Sequence, residues 1–162
     1  MGERVSTESP RAALAAALYD EERAGATGAV LYHAAVAAHL KINITDVSCV
    51  GVLDKEGPMT AGRLAQRVGV SRGGPVTAMI DRLESAGFLR RRRDPVDRRR
   101  VLIELVREDA YQRLQRSLGG LTGRYTELIG GYTEDELRLL LDFSRRTNEI
   151  LHEQTTALQA DR

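Results

Sequence analysis

A chain of 162 residues, 42% apolar and 29% charged, has the length of about one domain and the composition of an ordinary globular protein, which excludes wholesale disorder. No apolar run approaches the ~18 residues of a membrane helix, and the polar start MGERVSTESP lacks the apolar stretch of a secretion signal. Cys49 is the only cysteine, so an intramolecular disulfide and a thiolate zinc cage are both ruled out.

The expected setting is therefore cytoplasmic, with no membrane partner. Gly2 and Ser6 fit the spacing of an N-myristoylation signal, a pattern short enough to arise by chance. The net charge of +1 is unevenly divided. Residues 60–105 hold eleven arginines against five acids, so a basic middle lies between flanks that are acidic in sum. That division is the charge footprint of a nucleic-acid reader.

The alanine-rich stretch over residues 10–40 predicts one long helix or two in tandem, with Gly25 and Gly28 marking the kink. NITDVSCVGVLDKEG follows, with Thr45 or Asn43 as N-cap, Val47, Val50 and Leu53 at helical spacing, and Gly57-Pro58 as the stop. In TAGRLAQRVGV, Thr60 can cap a helix whose Leu64, Ala65 and Val68 share a face, and Gly69 gives the freedom for a tight turn. A second helix, PVTAMIDRLESAG, buries Val76, Met79, Ile80 and Leu83, stops at Gly87, and leaves Thr77, Ala78, Asp81 and Arg82 outward. This is a helix-turn-helix.

FLRRRR and RVLIELV then read as two strands around the turn DPVD, with Val101, Ile103 and Leu105 alternating. A β-hairpin directly after a helix-turn-helix is a wing, so RRRRDPVDRRR is the tip and arms of that hairpin. Residues 107–128 predict a polar helix with Leu114, Leu118 and Leu121 inward, weakened at Gly119-Gly120. Thr133 and Glu136 form a capping box before a last helix that lines Leu137, Leu140, Leu141, Ser144, Asn148 and Leu151 along one side. The fold class is mainly α with a small β-hairpin: a winged helix-turn-helix lobe over residues 44–106, and helices over 10–40 and 107–155, within a single domain of residues 1–162.

The order of elements, with GPMTAGRLAQRVGVS, VTAMIDRLESAGFLRRRRDPVDRRRVLIEL and the leucine-rich last helix, resembles the MarR family of bacterial transcriptional regulators. The likeness spans roughly residues 30–150 and is most specific at DPVDRR before an apolar strand. It implies a homodimer joined by its terminal helices, two winged lobes on a palindromic operator in double-stranded DNA, and a ligand cleft between lobe and dimerisation helices. The alanines of residues 12–18 permit close helix approach, and the leucines of 137–151 supply apolar area. One departure is VSRGGPVT, one residue longer than the family's usual spacing. Gly74 as N-cap with Pro75 at the first helical position suits a lengthened turn over Ser71–Gly73, and a cap at Ser71 is the alternative.

In such a reader the recognition helix enters the major groove N-terminus first. Arg72 and Thr77 are then candidates for base edges or nearby phosphate, with Ser71, Gly73 and Gly74 beside them. Thr60 and Arg63 can reach a flanking phosphate, and Arg82 is a backbone contact or an internal partner of Asp81 or Glu84. By family position, Arg99 enters the minor groove, Asp97 orients its guanidinium, and Arg98 and Arg100 turn to phosphates. Arg90–Arg93 alternate faces, so about half of them would touch DNA. Tyr32, His33, Asp46 and Ser48 are candidates to line a cleft for a small aromatic or phenolic effector. His33 and His39 stand six residues apart, the wrong spacing for a shared metal, and no metal or cofactor is assigned. Cys49 reads as a buried apolar filler.

The leading function is a sequence-specific regulator, a repressor released by an effector. The alternative is an architectural or partner-recruiting DNA-binding protein without one. No nucleophile with a neighbouring base and no phosphate-cradling glycine loop is present, so an enzyme is not expected.

Overall fold

The computed structural model describes Ser9–Ala160; the Gly2–Ser6 pattern lies outside the described residues. By its own contacts the chain divides into two compact units, one up to Ser117 and one from Leu118 onward. No single helix among the described residues is long and apolar enough to cross a membrane.

The first unit begins with α1 (Pro10–Leu40), a single helix. Ser9 Oγ accepts from the Ala12 amide at 3.2 Å, and Pro10 stands in the first turn, where its missing N–H wastes no bond. Gly25 and Gly28 do not interrupt it. Each weakens the helix by only about 1 kcal/mol relative to alanine, and the surrounding alanines favour continuation. Lys41 ends the helix in the left-handed region at φ 56°.

Helix α2 (Ile44–Glu56) is preceded by Asn43 as N-cap, which settles the choice against Thr45. The Asn43 amide donates to Asp46 Oδ2 at 2.9 Å, the carboxylate half of a capping box. Helices α3 (Ala61–Val68) and α4 (Gly74–Ser85) follow. Strands β2 (Leu89–Arg93) and β3 (Val101–Leu105) form the expected hairpin, pairing Leu89 with Leu105 and Arg93 with Val101. A third strand, β1 (Met59–Thr60), pairs with β3 on its other side, giving the order β1-β3-β2. Two residues are too short for alternation to show, so sequence gives β1 no signal.

Leu53, Leu64, Ile80, Leu83, Leu89, Ile103 and Leu114 are each under 2% exposed, so the core joins α2, α3, α4, the sheet and the start of α5 (Asp109–Gly130). Val76 and Met79 complete the buried stripe of α4.

In the second unit, α5 runs unbroken through Gly119-Gly120, and α6 (Glu134–Ala160) starts at the capping box: the Thr133 amide donates to Glu136 Oε2 at 2.8 Å. The inward placement of Leu118 and Leu121 needs correction. Leu118 is half-buried and Leu121 is 40% exposed, and on α6 Leu140, Leu141 and Leu151 are exposed too. Their helical spacing marks an apolar face, but no described residue of this chain covers that face.

Candidate nucleic-acid interface

Thr60 ends β1 and caps α3, its hydroxyl facing the Arg63 amide at 3.4 Å. Gly69 terminates α3 in the left-handed conformation, and residues 69–73 then lead to α4. The cap of α4 is Gly73, one residue before Gly74 and two after Ser71, which corrects both readings of the lengthened turn. Gly73 has φ 88° and ψ −131°, a region essentially reserved for glycine, and this conformation lets the chain enter the helix with Gly74 and Pro75 in its first two positions. The Thr77 amide and hydroxyl both donate to the Gly73 carbonyl, at 3.1 and 3.0 Å. Its hydroxyl proton is therefore committed, and what Thr77 offers to a ligand is an acceptor. Ser71, Arg72, Gly73, Gly74 and Thr77 are all exposed.

Helix α4 is held at both of its polar flanks. Arg82 donates from Nε to Asp46 Oδ2 at 2.9 Å and from Nη2 to Asp46 Oδ1 at 2.6 Å, so its partner lies on α2 and is neither Asp81 nor Glu84. That hydrogen bonding holds the guanidinium above its usual pKa. Asp81 and Glu84 reach the wing instead. Arg91 Nη2 donates to Asp81 at 2.6 Å, Arg91 Nη1 pairs with Glu84, and the Arg91 amide donates to Glu84 Oε1 at 2.9 Å.

The wing arms carry most of their own counter-charge. Arg90 Nε donates to Glu104 Oε2 at 2.9 Å; Arg92 Nε lies 3.2 Å from Oε1, an ion pair without hydrogen-bond alignment. The hydrogen bond from Arg90, with the charge of Arg92 behind it, holds the Glu104 carboxyl below the usual range. Arg63 and Arg67 share Glu56 at 3.7 and 2.6 Å.

At the tip, Asp94 Oδ1 accepts from the Val96 amide at 2.9 Å and Asp97 Oδ1 from the Arg99 amide at 3.1 Å, two local turns that shape the loop. Asp97 does not hold the Arg99 guanidinium, as the family pattern implies. Its other oxygen lies 3.3 Å from Arg100 Nε, because the turn places Arg100 rather than Arg99 back over the carboxylate. Arg93 Nη1 donates to the Arg98 carbonyl at 2.9 Å. Within residues 60–105, Arg72, Arg93, Arg98 and Arg99 are exposed and have no carboxylate within 4.0 Å, and of these Arg93 is held by the Arg98 carbonyl. The pairing map thus reduces a broad arginine run to two places with unneutralised charge: the turn before α4, and the wing tip together with Arg93 at the end of β2 that adjoins it.

The candidate cleft residues do not come together. Asp46 is fully buried and both its oxygens are engaged by Asn43 and Arg82, which removes it from any ligand surface. Ser48 is exposed and donates to the Ile44 carbonyl at 3.4 Å; His33 is exposed beside Tyr32, with ring centroids 6.1 Å apart. Tyr32 is half-buried, and its hydroxyl donates to the Ser117 carbonyl at 2.9 Å. A cavity of about 310 Å³ lies next to that contact, lined by His39, Leu40, Arg113, Arg116 and Ser117. Residues so far apart in sequence form no pattern that could announce it. Cys49 is fully buried, and burial together with the nearby Asp46 charge pushes its thiol up to about 12, so the reactive thiolate is suppressed. No group of three or more candidate metal ligands occurs among the described residues.

The MarR family model matches residues 42–101. Over 155 residues the chain is 36% identical to the uncharacterized HTH-type transcriptional regulator YcgE of Bacillus subtilis (strain 168), covering 96% of this chain and 99% of that relative. A MarR family protein from Bacillus stearothermophilus has a similar fold, with TM-score 0.62, 20% identity, and coverage of 88% of this chain and 96% of that one. Reduced AbfR bound to DNA also matches, with TM-score 0.50, 18% identity, and coverage of 87% and 96%.

Proposed function

The chain belongs to the MarR family of transcriptional regulators and binds DNA, and on that premise we propose that it acts as a homodimeric repressor on a palindromic operator, released by a small-molecule effector. The observation that carries this reading is the location of the unneutralised arginines. A DNA surface needs cations whose charge is not already compensated, and Arg72, Arg98 and Arg99 supply them at the start of the recognition helix and at the end of the wing.

The exposure of these residues supports the following roles. Arg72 and Thr77 meet base edges or adjacent phosphate in the major groove, with Thr77 accepting from a base amino group because its proton is used on Gly73. Ser71, Gly73 and Gly74 carry no bulk that would hold the backbone away from DNA. Thr60 lies against a flanking phosphate, and Arg63, which meets Glu56 only at 3.7 Å while Arg67 holds that carboxylate at 2.6 Å, is free to turn to the same phosphate. Arg99 enters the minor groove and Arg98 reaches phosphate, on a tip whose backbone Asp94 and Asp97 already hold.

A homodimer is supported by the apolar residues left in solvent. Leu14, Leu31, Leu139 and Leu158, all on helices, are each more than 60% exposed, apolar side chains that a second subunit would cover. A two-fold pair would read two half-sites about 34 Å apart, which is the geometry of a palindrome. For the effector, the cavity beside Tyr32 and Ser117 is the better support, lined as it is by His39, Arg113 and Arg116.

Selection of bound duplexes from random-sequence DNA, with light scattering on the free protein, tests the reading. The expected outcome is an inverted repeat and a mass twice the 17.9 kDa of one chain. A single-subunit mass, or selected sequences without two-fold symmetry, contradicts it. Release of the selected duplex by phenolic compounds separates the effector-controlled repressor from an architectural DNA-binding protein.

A further inference from the structure

Asp46 is the only buried charged side chain among the described residues, with no exposure at all, and it lies in the first turn of α2 rather than on the helix-turn-helix itself. Its carboxylate accepts from three donors that engage both oxygens: the Asn43 amide at 2.9 Å and two from Arg82, at 2.9 and 2.6 Å. The two from Arg82 form a planar fork, which fixes direction as well as distance. Arg82 sits in the last turn of α4, eight residues beyond Gly74 and hence about 12 Å along the axis from the end that would read bases. To give this fork to a phosphate, Arg82 would have to leave a buried carboxylate unpaired, an arrangement that proteins tolerate poorly.

We propose that Asp46 and Arg82 form an internal strut that sets the seat of α4 against α2, so that Arg82 is a positioning residue for DNA reading and not a DNA contact. The inference rests on the reading that α4 enters the major groove. The apolar stripe of Val76, Met79, Ile80 and Leu83 attaches α4 to the core but leaves rotation and sliding only loosely defined, whereas the two-point fork defines both. Specific binding depends on that orientation. Non-specific phosphate attraction does not.

Asp46→Asn, Arg82→Gln and the double variant distinguish the two roles. On the duplex that the wild type selects from random DNA, each single variant should lose at least about tenfold in affinity, and the double variant no more than either single one. On an unselected duplex of equal length, affinity should stay within about twofold of wild type, and the slope of log K against log salt should be unchanged. A phosphate contact would instead lower that slope by about 0.9 per lobe in Arg82→Gln. That result, or wild-type affinity in Asp46→Asn, overturns the proposal. Should Asp46→Asn fail to fold by circular dichroism, the slope measured on Arg82→Gln decides alone. Amide hydrogen exchange without DNA gives an independent arm: exchange should quicken across α4 in Arg82→Gln, and an unchanged α4 overturns the strut. A wild type that binds no duplex at about 50 mM salt would remove the DNA-reading assignment, while the exchange arm still tests the strut.

Discussion

The arms and the tip of the wing are equally rich in arginine yet differ in what surrounds each guanidinium. On β2, Arg90 stands directly opposite Glu104, Arg92 shares that carboxylate, and Arg91 is clamped by Asp81 and Glu84 from α4. At the tip, acids are just as near in sequence, but Asp94 and Asp97 each direct an oxygen at a backbone amide, Asp97 spends its other oxygen on Arg100, and Arg98 and Arg99 keep their charge. Charge available to a partner is thus set by register and turn geometry rather than by composition. The arm arginines hold the wing to itself and to α4; Arg98 and Arg99 at the tip are left for something outside the chain.

The sharpest break in this comparison would come from Arg99→Ala. Removing one minor-groove anchor from each of two lobes should weaken binding on the order of a hundredfold in a titration of the selected duplex, at about 1–3 kcal/mol per anchor. An unchanged titration would place Arg99 with the arms. Gly73→Ala comes next, and acts on stability. Open space surrounds a Cβ at Gly73, so the expected loss of about 1–3 kcal/mol, read by chemical denaturation, is backbone strain from φ 88° alone. Gly74→Ala, where there is also open space and no positive φ, should leave stability level or slightly raised and serves as the control. The smallest effect belongs to Arg90→Ala. Its guanidinium is largely exposed and Glu104 retains Arg92, so stability should move by no more than about 0.5 kcal/mol.

Much of the fold is legible in the sequence because its signals are local. Thr60 as cap, Gly69 and Gly87 as stops, the stripe from Val76 to Leu83, and the alternation of Val101, Ile103 and Leu105 each report on residues within one or two turns of each other. The continuity of α1 is not legible in this way, since Gly25 and Gly28 weaken a helix without deciding whether it breaks. The candidate interface is legible as an arginine-rich region but not as a pairing map. Asp46 and Arg82 lie 36 residues apart, and only the tertiary fold of the lobe, with α3 packed against both α2 and α4, brings them together. The shift of the α4 cap to Gly73 depends on a backbone conformation open to either glycine of the pair, which composition cannot assign. The leucines of α6 show the reverse case: their spacing announces a buried face, and no described residue of this chain buries it.

The central claim, that unneutralised arginines at the wing tip and not the paired ones on its arms meet DNA, is tested most directly by salt dependence. The slope of log K against log salt should be compared for wild type, Arg98→Ala/Arg99→Ala and Arg90→Ala/Arg92→Ala on the same duplex. The tip variant should flatten the slope by about 0.9 for each phosphate it no longer neutralises, and the arm variant should run parallel to wild type. Equal flattening by both, or a flattening confined to the arm variant, would contradict it.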